Sequence, residues 1–237
     1  MAVLGGLLYW QLVIAEGAHL GQGVVVALYD LAAPRYDRIK NFDPQVETDT
    51  LALPLTVALA TVAAARVLDV AGGTARLART LLPQIAFDGE VITLDRSAAM
   101  LRQGRPHCAA WPGRVSWLQA PAAALPFAGE AFDAVTCLEA LEFLPSARAA
   151  LAECLRVLRP GGVLLLTNRV GLEAWLMPGK TFNRAAFQRL LAEYPLEVLL
   201  VTPWQVEYDL VWARKRGDAP LGDSGAGPKG PEGYKAP

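Results

Sequence analysis

The stretch from Arg66 to Ala78, RVLDVAGGTARLA, constrains this chain more than any other. Val67-Leu68-Asp69-Val70 is an apolar run carrying one acid. The small residues Ala71-Gly72-Gly73 follow, and then a segment of helical character. The next apolar run ends in Asp95, 22 positions beyond Gly73. A strand, a tight turn, a helix and a second strand with a carboxylate at its tip form a unit that holds a nucleoside-containing cofactor at the carboxyl edge of a parallel sheet.

The same alternation continues along the chain. Leu51–Ala65 reads as a helix leading into the strand Val67–Val70, and Thr74–Leu82 as a helix stopped by Pro83. Glu90–Asp95 is a second strand, after which Ser97 caps a helix to about Gln103. Val115–Gln119 and Ala134–Leu138 are further strands. Ser146–Leu158 is a helix closed by the turn Arg159-Pro160-Gly161-Gly162, and Val163–Thr167 is a fifth strand. Asn183 caps a helix to Tyr194. Leu196–Thr202 and Glu207–Arg214 form a closing hairpin joined at Pro203-Trp204. Strands that alternate with helices predict an α/β, Rossmann-like fold: a mainly parallel seven-stranded sheet, helices on both faces and an antiparallel C-terminal strand pair.

Composition narrows the function. With 237 residues the chain is long enough for one well-buried α/β domain, and its hydrophobic content of 53% suits packed helices over a buried sheet. The net charge is −1 and no basic run is interleaved with aromatics, which speaks against a nucleic-acid partner. The three cysteines, Cys108, Cys137 and Cys154, form no CxxC pair, and His19 and His107 are the only histidines. No metal site is expected. The odd cysteine count suggests reduced, buried thiols in a cytoplasmic setting.

The amino terminus stands apart. Ala2–Ala15 is apolar but for Gln11, and Val24–Leu28 is apolar again. The first run is short of the about 20 residues of a membrane span and lacks the basic start of a secretory signal. Three readings stay open: a helix packed on the domain, a membrane-surface anchor within residues 2–28, or a short tilted span. From Gly217 the chain is glycine, proline and charge, which reads as a disordered tail over 217–237. The expected division is therefore 1–45 as an apolar helical cap, 46–216 as the main domain, and the tail.

Four segments, in order, resemble the class I S-adenosylmethionine-dependent methyltransferases. They are VLDVAGGTA (67–75), VITLDRSAAML (91–101), AAALPFAGEAFDAVTCLEALEFL (122–144) and LAECLRVLRPGGVLLLTN (151–168). The nearest flavour is the small-molecule group that includes quinone-biosynthesis C-methylases, whose first motif also carries Ala-Gly-Gly. The resemblance implies S-adenosyl-L-methionine as cofactor and in-line methyl transfer to a small, lipophilic acceptor. It places Asp69 behind the turn and the backbone of Ala71, Gly72, Gly73 and Ala75 against the methionine part. Asp95 falls on the ribose hydroxyls, Arg96 and Met100 flank the adenine, and Leu138 and Glu139 lie near the transferring methyl. Tyr36 sits in a segment that folds over the cofactor in relatives. Glu139 is the one candidate for a general base; Glu142 stands as a pocket residue or part of a solvated face.

Two departures matter. Alanine replaces the family's first and last motif-one glycines at Ala71 and Ala75. Alanine disfavours positive φ, so a turn that needs it there is strained or reshaped. The acid that binds the adenine amino group in many relatives is absent from Gln119-Ala120-Pro121-Ala122, which leaves backbone near Ala122 and apolar packing. The rivals are a nicotinamide-dependent dehydrogenase, disfavoured because Ala71, Gly73 and Arg76 occupy its three glycine positions, and a non-catalytic cofactor- or partner-binding domain.

Overall fold

Apolar runs without polar alternation need cover on both faces, and the central strands receive it. The computed structural model describes residues 2–217. The expected tail, from residue 218 on, lies outside the described residues. The strands are β1 Arg66–Val70, β2 Glu90–Asp95, β3 Val115–Gln119, β4 Phe132–Cys137, β5 Leu158–Arg169, β6 Leu196–Trp204 and β7 Tyr208–Lys215. They form one seven-stranded sheet in the order β3-β2-β1-β4-β5-β7-β6. β1 to β5 run parallel, and β7 is antiparallel to both β5 and β6.

Because side chains alternate across a strand, the sheet divides the core in two. Leu68, Val70, Val135, Leu164 and Leu166 meet Leu151 and Leu155 of one helix and Phe187 and Leu190 of another. Val67, Val91, Ala134 and Leu165 meet Leu51, Leu55, Leu77 and Leu81 on the other face. Leu68, Leu151 and Leu164 are fully buried, and truncating one such leucine to alanine costs about 2–5 kcal/mol.

In chain order the helices are α1 Ala2–Tyr9, α2 Gln22–Ala32, α3 Tyr36–Lys40, α4 Pro44–Glu47, α5 Leu53–Ala58, α6 Arg76–Leu81, α7 Ala98–Gly104, α8 Ala147–Val157, α9 Gly171–Trp175 and α10 Arg184–Ala192. Ser97, Ser146 and Asn183 cap α7, α8 and α10, each side-chain oxygen accepting a backbone N–H from three residues on.

Three local expectations are corrected. The helix expected over 51–65 is a π-helical turn, Thr48–Ala52, followed by α5, which stops at Ala58. Pro54 lacks the N–H for a regular ladder, and the β-branched Thr56, Val57, Thr61 and Val62 weaken the last turns. Arg159-Pro160-Gly161-Gly162 does not precede the fifth strand but lies inside β5. The pairing with β4 steps from Phe132↔Leu158 to Ala134↔Val163, so the segment bulges out, with Gly161 at φ 76°. The closing hairpin turns at Gln205–Glu207, not at Pro203-Trp204, with Gln205 at φ 54°. Pro203 fits within β6 because that strand is the edge of the sheet.

The strand order reverses between β1 and β4. In such sheets the crevice outside the carboxyl ends at the reversal takes the ligand. The tips of β1, β2 and β4 therefore define where a site belongs.

Candidate cofactor and active site

At the tip of β1 the backbone adopts the left-handed conformation at Ala71 (φ 55°), Gly73 (φ 55°) and Ala75 (φ 63°). The Gly72 N–H donates to Leu94 O at 3.0 Å and the Gly73 N–H to Asp95 Oδ2 at 3.0 Å, so the turn is stitched to the tip of β2. A Cβ on Gly72 would overlap the Asp69 carboxylate and the Thr93 methyl, which is why this position carries no side chain. The two alanines hold positive φ, at a cost of about 1–2 kcal/mol each. Of the two outcomes open for the turn, the structure has the strained one.

This turn floors an open cleft at the carboxyl edge of the sheet, with apolar and polar groups converging on it. Ala71, Gly73, Asp95, Arg96, Met100, Ala122, Leu138, Glu139 and Tyr36 all line it. The cleft narrows into a much smaller side chamber lined by Asp69, Gly72, Thr74, Arg76 and Phe42, with Tyr36 and Glu139 shared. Ala75 lines neither part. It is fully buried at the start of α6, where it turns the chain into the helix.

Asp69 is buried and accepts a hydrogen bond from Thr136 Oγ1 at 2.6 Å. Burial raises its carboxyl to about 7 against the pull of that bond. Burial also raises Asp95, although its oxygens accept from the Ser97 N–H (2.7 Å) and the Gly73 N–H. Each oxygen keeps lone-pair capacity toward the cleft. The Gln119 amide donates to Arg96 O, and Ala120–Ala123 form the wall beside it. Among the described residues, those of this wall, Ala120–Ala123, carry no carboxylate.

The narrow chamber holds a charged group that sequence reasoning did not find. The Arg76 guanidinium donates to both oxygens of Glu47, at 2.6 and 2.5 Å, and to Glu139 Oε1 at 2.5 Å. The rings of Phe42 and Trp204 lie 3.9 and 4.3 Å from it. Lys40 Nζ donates to Glu139 Oε2 at 2.8 Å. Burial pushes the Glu139 carboxyl up, but Lys40 and Arg76 outweigh it and hold it below the usual glutamate range. One sequence signal did exist: Arg76 is a charged residue at the head of a helix whose neighbours are apolar. Glu47 and Lys40 lie 29 and 99 positions from their partners and left none.

The cap is bound to the loops of the site through polar contacts. Asp37 accepts from Thr74 Oγ1 at 2.7 Å and pairs with Arg79 and His107, while Asp30 accepts from Ser97 Oγ at 2.5 Å. Gln22, Val25, Val26 and Tyr29 of α2 wall the cleft opposite Phe143. Glu142 is buried away from the cleft lining, accepting from Tyr208 Oη at 2.6 Å, so the solvated-face reading of this residue is replaced by a buried one. Glu153 and Arg156 of α8 clamp the loop at Leu125–Phe127. Cys108, Cys137 and Cys154 are buried free thiols, all raised by burial.

Residues 67–162 match the family model described as "Methyltransferase domain". That segment is thus similar to a methyltransferase domain. The chain is 35% identical over 144 residues to a demethylmenaquinone methyltransferase of Clavibacter sepedonicus, covering 61% of this chain and 57% of that protein. It is 43% identical over 110 residues to the ubiquinone/menaquinone biosynthesis C-methyltransferase UbiE of Dinoroseobacter shibae, covering 46% and 44%. The chain thus spans about half the length of the curated relatives it matches. Among solved structures, the [4+2]-cyclase SpnF superposes with a TM-score of 0.64 at 19% identity, covering 82% of this chain and 97% of that one. A SAM-dependent methyltransferase from Aquifex aeolicus superposes with a TM-score of 0.55 at 18% identity, covering 73% and 99%. These structures share the fold of this chain.

The residues of the cleft fit the cofactor of the methyltransferases. The turn at Ala71–Gly73 exposes backbone with almost no side chain, and a Cβ on Gly73 would stand 3.1 Å from Met100 Cε. Asp95 offers two acceptors at a strand tip for a pair of hydroxyls. The wall of Met100, Ala120, Ala122 and Leu138 suits a flat apolar ring.

Proposed function

We propose that the chain is an S-adenosyl-L-methionine-dependent methyltransferase acting on a small, lipophilic acceptor of the quinone-precursor kind for which its curated relatives are named. The supporting observation is the meeting of Asp95, the left-handed turn and the Leu138–Glu139 tip in one cleft at the strand reversal. Residues 1–45 act as the cap and 46–216 as the transferase domain. Contact of the apolar amino terminus with a membrane surface is the finer part of this reading.

When bound, the cofactor supplies a methyl group already activated on a sulfonium. The protein's task is alignment and water exclusion. Asp95 holds the ribose hydroxyls, and the backbone at Ala71–Gly73 approaches the methionine part. Leu138 and Met100 pack the ring and the sulfur side. Tyr36 and α2 close the cleft over both partners. Glu139 enters this scheme as a positioning residue. Both its oxygens are engaged by cations and its affinity for a proton is lowered, which suits holding Arg76 and Lys40 rather than taking a proton from an acceptor.

Calorimetry with S-adenosylmethionine, followed by detection of a methylated product from demethylated quinone precursors, tests the reading. Binding with product formation is expected. The SpnF likeness shows that this fold also serves other reactions. Absence of cofactor binding would remove the transferase reading, and binding without methylation of any precursor would leave a cofactor-binding domain.

A further inference from the structure

The apolar amino-terminal helix is exposed rather than buried. Leu4, Leu7, Leu8, Tyr9, Leu12 and Val13 all face solvent, in a helical stretch from Ala2 to Ile14 without a charged residue. At 1.5 Å per residue this stretch is about 20 Å long, against about 30 Å for a hydrocarbon core. Among the described residues no helix is long and apolar enough to cross a membrane. Trp10 Nε1 donates to Leu176 O at 2.8 Å and ties the stretch to the end of α9. There Leu172 and Trp175 project, Trp175 being 79% exposed. Ala15, Ala18, Val25, Phe143 and Met177 pack in one buried cluster, which fastens the end of this stretch to α2 and to the turn that follows α9.

A second strip lies at the far end of α2 and on α3. Leu31, Arg35, Arg38 and Ile39 recur at helical spacing and are all exposed. Among the described residues neither arginine has a carboxylate within ion-pair distance. The acids of the same segments are engaged inward: Glu16 with Tyr29, Asp30 with Ser97, Asp37 with Thr74. On the strip itself the unpaired charges are therefore cationic, while Glu173 of α9 is paired with Arg169 and Asp43 caps α4.

We propose that α1, α9 and the Leu31–Ile39 strip form one interfacial surface that docks on an anionic lipid membrane, with α1 lying in the headgroup boundary rather than spanning. The charge pattern argues for lipid over a second copy of the chain. Apolar side chains flanked by unpaired arginines match acyl chains beneath anionic headgroups. A copy of the same surface would set arginine against arginine. The cleft is walled by α2, so docking brings its rim to the lipid. This purpose rests on the proposed lipophilic acceptor; the docking itself does not.

The test is co-sedimentation of the full chain with phosphatidylcholine vesicles, with and without phosphatidylglycerol. Binding to the anionic vesicles is expected. Leu7→Asp with Leu8→Asp should weaken it by about tenfold or more. Arg35→Gln with Arg38→Gln should weaken it about fivefold per arginine and flatten its salt dependence. Both pairs lie outside the cleft, so unchanged S-adenosylhomocysteine affinity certifies folding. A wild-type chain that stays in the supernatant with both vesicles overturns the proposal, as does a Leu7→Asp/Leu8→Asp chain that binds like wild type. A dimer in solution that the same substitutions dissolve, without vesicle binding, assigns the surface to a second copy instead. Vesicle binding by a chain with no affinity for S-adenosylmethionine removes the transferase reading and leaves the surface standing.

Discussion

In the wide part of the cleft the walls are Val25, Val26, Met100, Ala122, Leu138 and Phe143, and the polar contacts come from backbone amides and Asp95. In the narrow part Arg76 is locked between Glu47 and Glu139, with Lys40 on the far oxygen and two aromatic rings against the guanidinium. The first part is shaped to receive a ligand, because its polar atoms keep capacity toward the space. The second has spent that capacity on itself. Its charges fasten α3 and α4, and with them the cap, to the domain.

Replacing Arg76 should have the largest effect. Arg76→Leu leaves Glu47 and Glu139 buried without their shared cation, and breaking a buried pair costs about 3–5 kcal/mol. Urea unfolding would read this as a lower midpoint with an unchanged slope. A loss below about 1 kcal/mol, within the range of surface pairs, would mean that the narrow part is not the structural lock described. Asp95→Ala should strike the other part. It removes two acceptors for hydroxyls, each hydrogen bond to a charged group being worth about 1.5–3 kcal/mol. Affinity for S-adenosylhomocysteine should fall by about two to four orders of magnitude in calorimetry. Unfolding should shift less than for Arg76→Leu. If the two variants exchange effects, the division of the cleft is wrong.

The buried carboxylates around the cleft also oppose one another in pH. Asp69 behind the turn is raised to about 7. A raised carboxyl favours its neutral form in the folded chain, so its contribution is full below the ordinary carboxylate range. That contribution is lost as pH rises toward 7, at a slope approaching 1.4 kcal/mol per pH unit. Asp95 and Glu142, also raised, add in the same direction. Glu139 is lowered by its cations; its contribution is present above the ordinary glutamate value and is lost as pH falls through the folded one. Asp69→Asn should therefore flatten the decline of stability from about pH 4 to 7, and Glu139→Gln the decline on the acid side. Thermal unfolding over a pH series separates the two. An Asp69→Asn profile that still falls as steeply toward neutrality would show that burial does not hold this carboxyl neutral.

The parts differ equally in how far the sequence disclosed them. The turn and Asp95 were legible because their determinants are local: an apolar strand, small residues and an acid at the next strand end, within 30 positions from Arg66 to Asp95. The caps Ser97, Ser146 and Asn183 were legible for the same reason. The parallel direction of the first five strands followed from strand–helix alternation, since parallel neighbours need crossover helices; their order in the sheet did not. The lock was not legible, because Glu47, Arg76 and Glu139 are brought together by the fold alone. Glu142 looked like part of a solvated face for the same reason, its partner Tyr208 lying 66 positions away. The Arg159–Gly162 segment misled in another way. Its turn chemistry was read rightly, but only pairing with β4 could show that the ladder resumes on both sides of it.

The smallest effect belongs to the alanines of the turn. Glycine would relieve about 1–2 kcal/mol of left-handed strain at Ala75, less about 0.4–1 kcal/mol for the freer unfolded chain. Ala75→Gly should thus gain at most about 1.6 kcal/mol, a rise of no more than about 3–6 °C for a domain of this size. Ala75 lines neither part of the cleft, so cofactor affinity should hold. Ala71→Gly relieves the same strain but loosens backbone that faces the cleft, so any gain in stability should come with weaker binding. That contrast separates two reasons for small residues in such a turn. If both substitutions stabilise and neither weakens binding, the turn is demanding in its φ angles alone. If neither stabilises, the surrounding hydrogen bonds from Gly72 to Leu94 and from Gly73 to Asp95 already hold the left-handed backbone, and the alanines serve as space-savers under the cofactor.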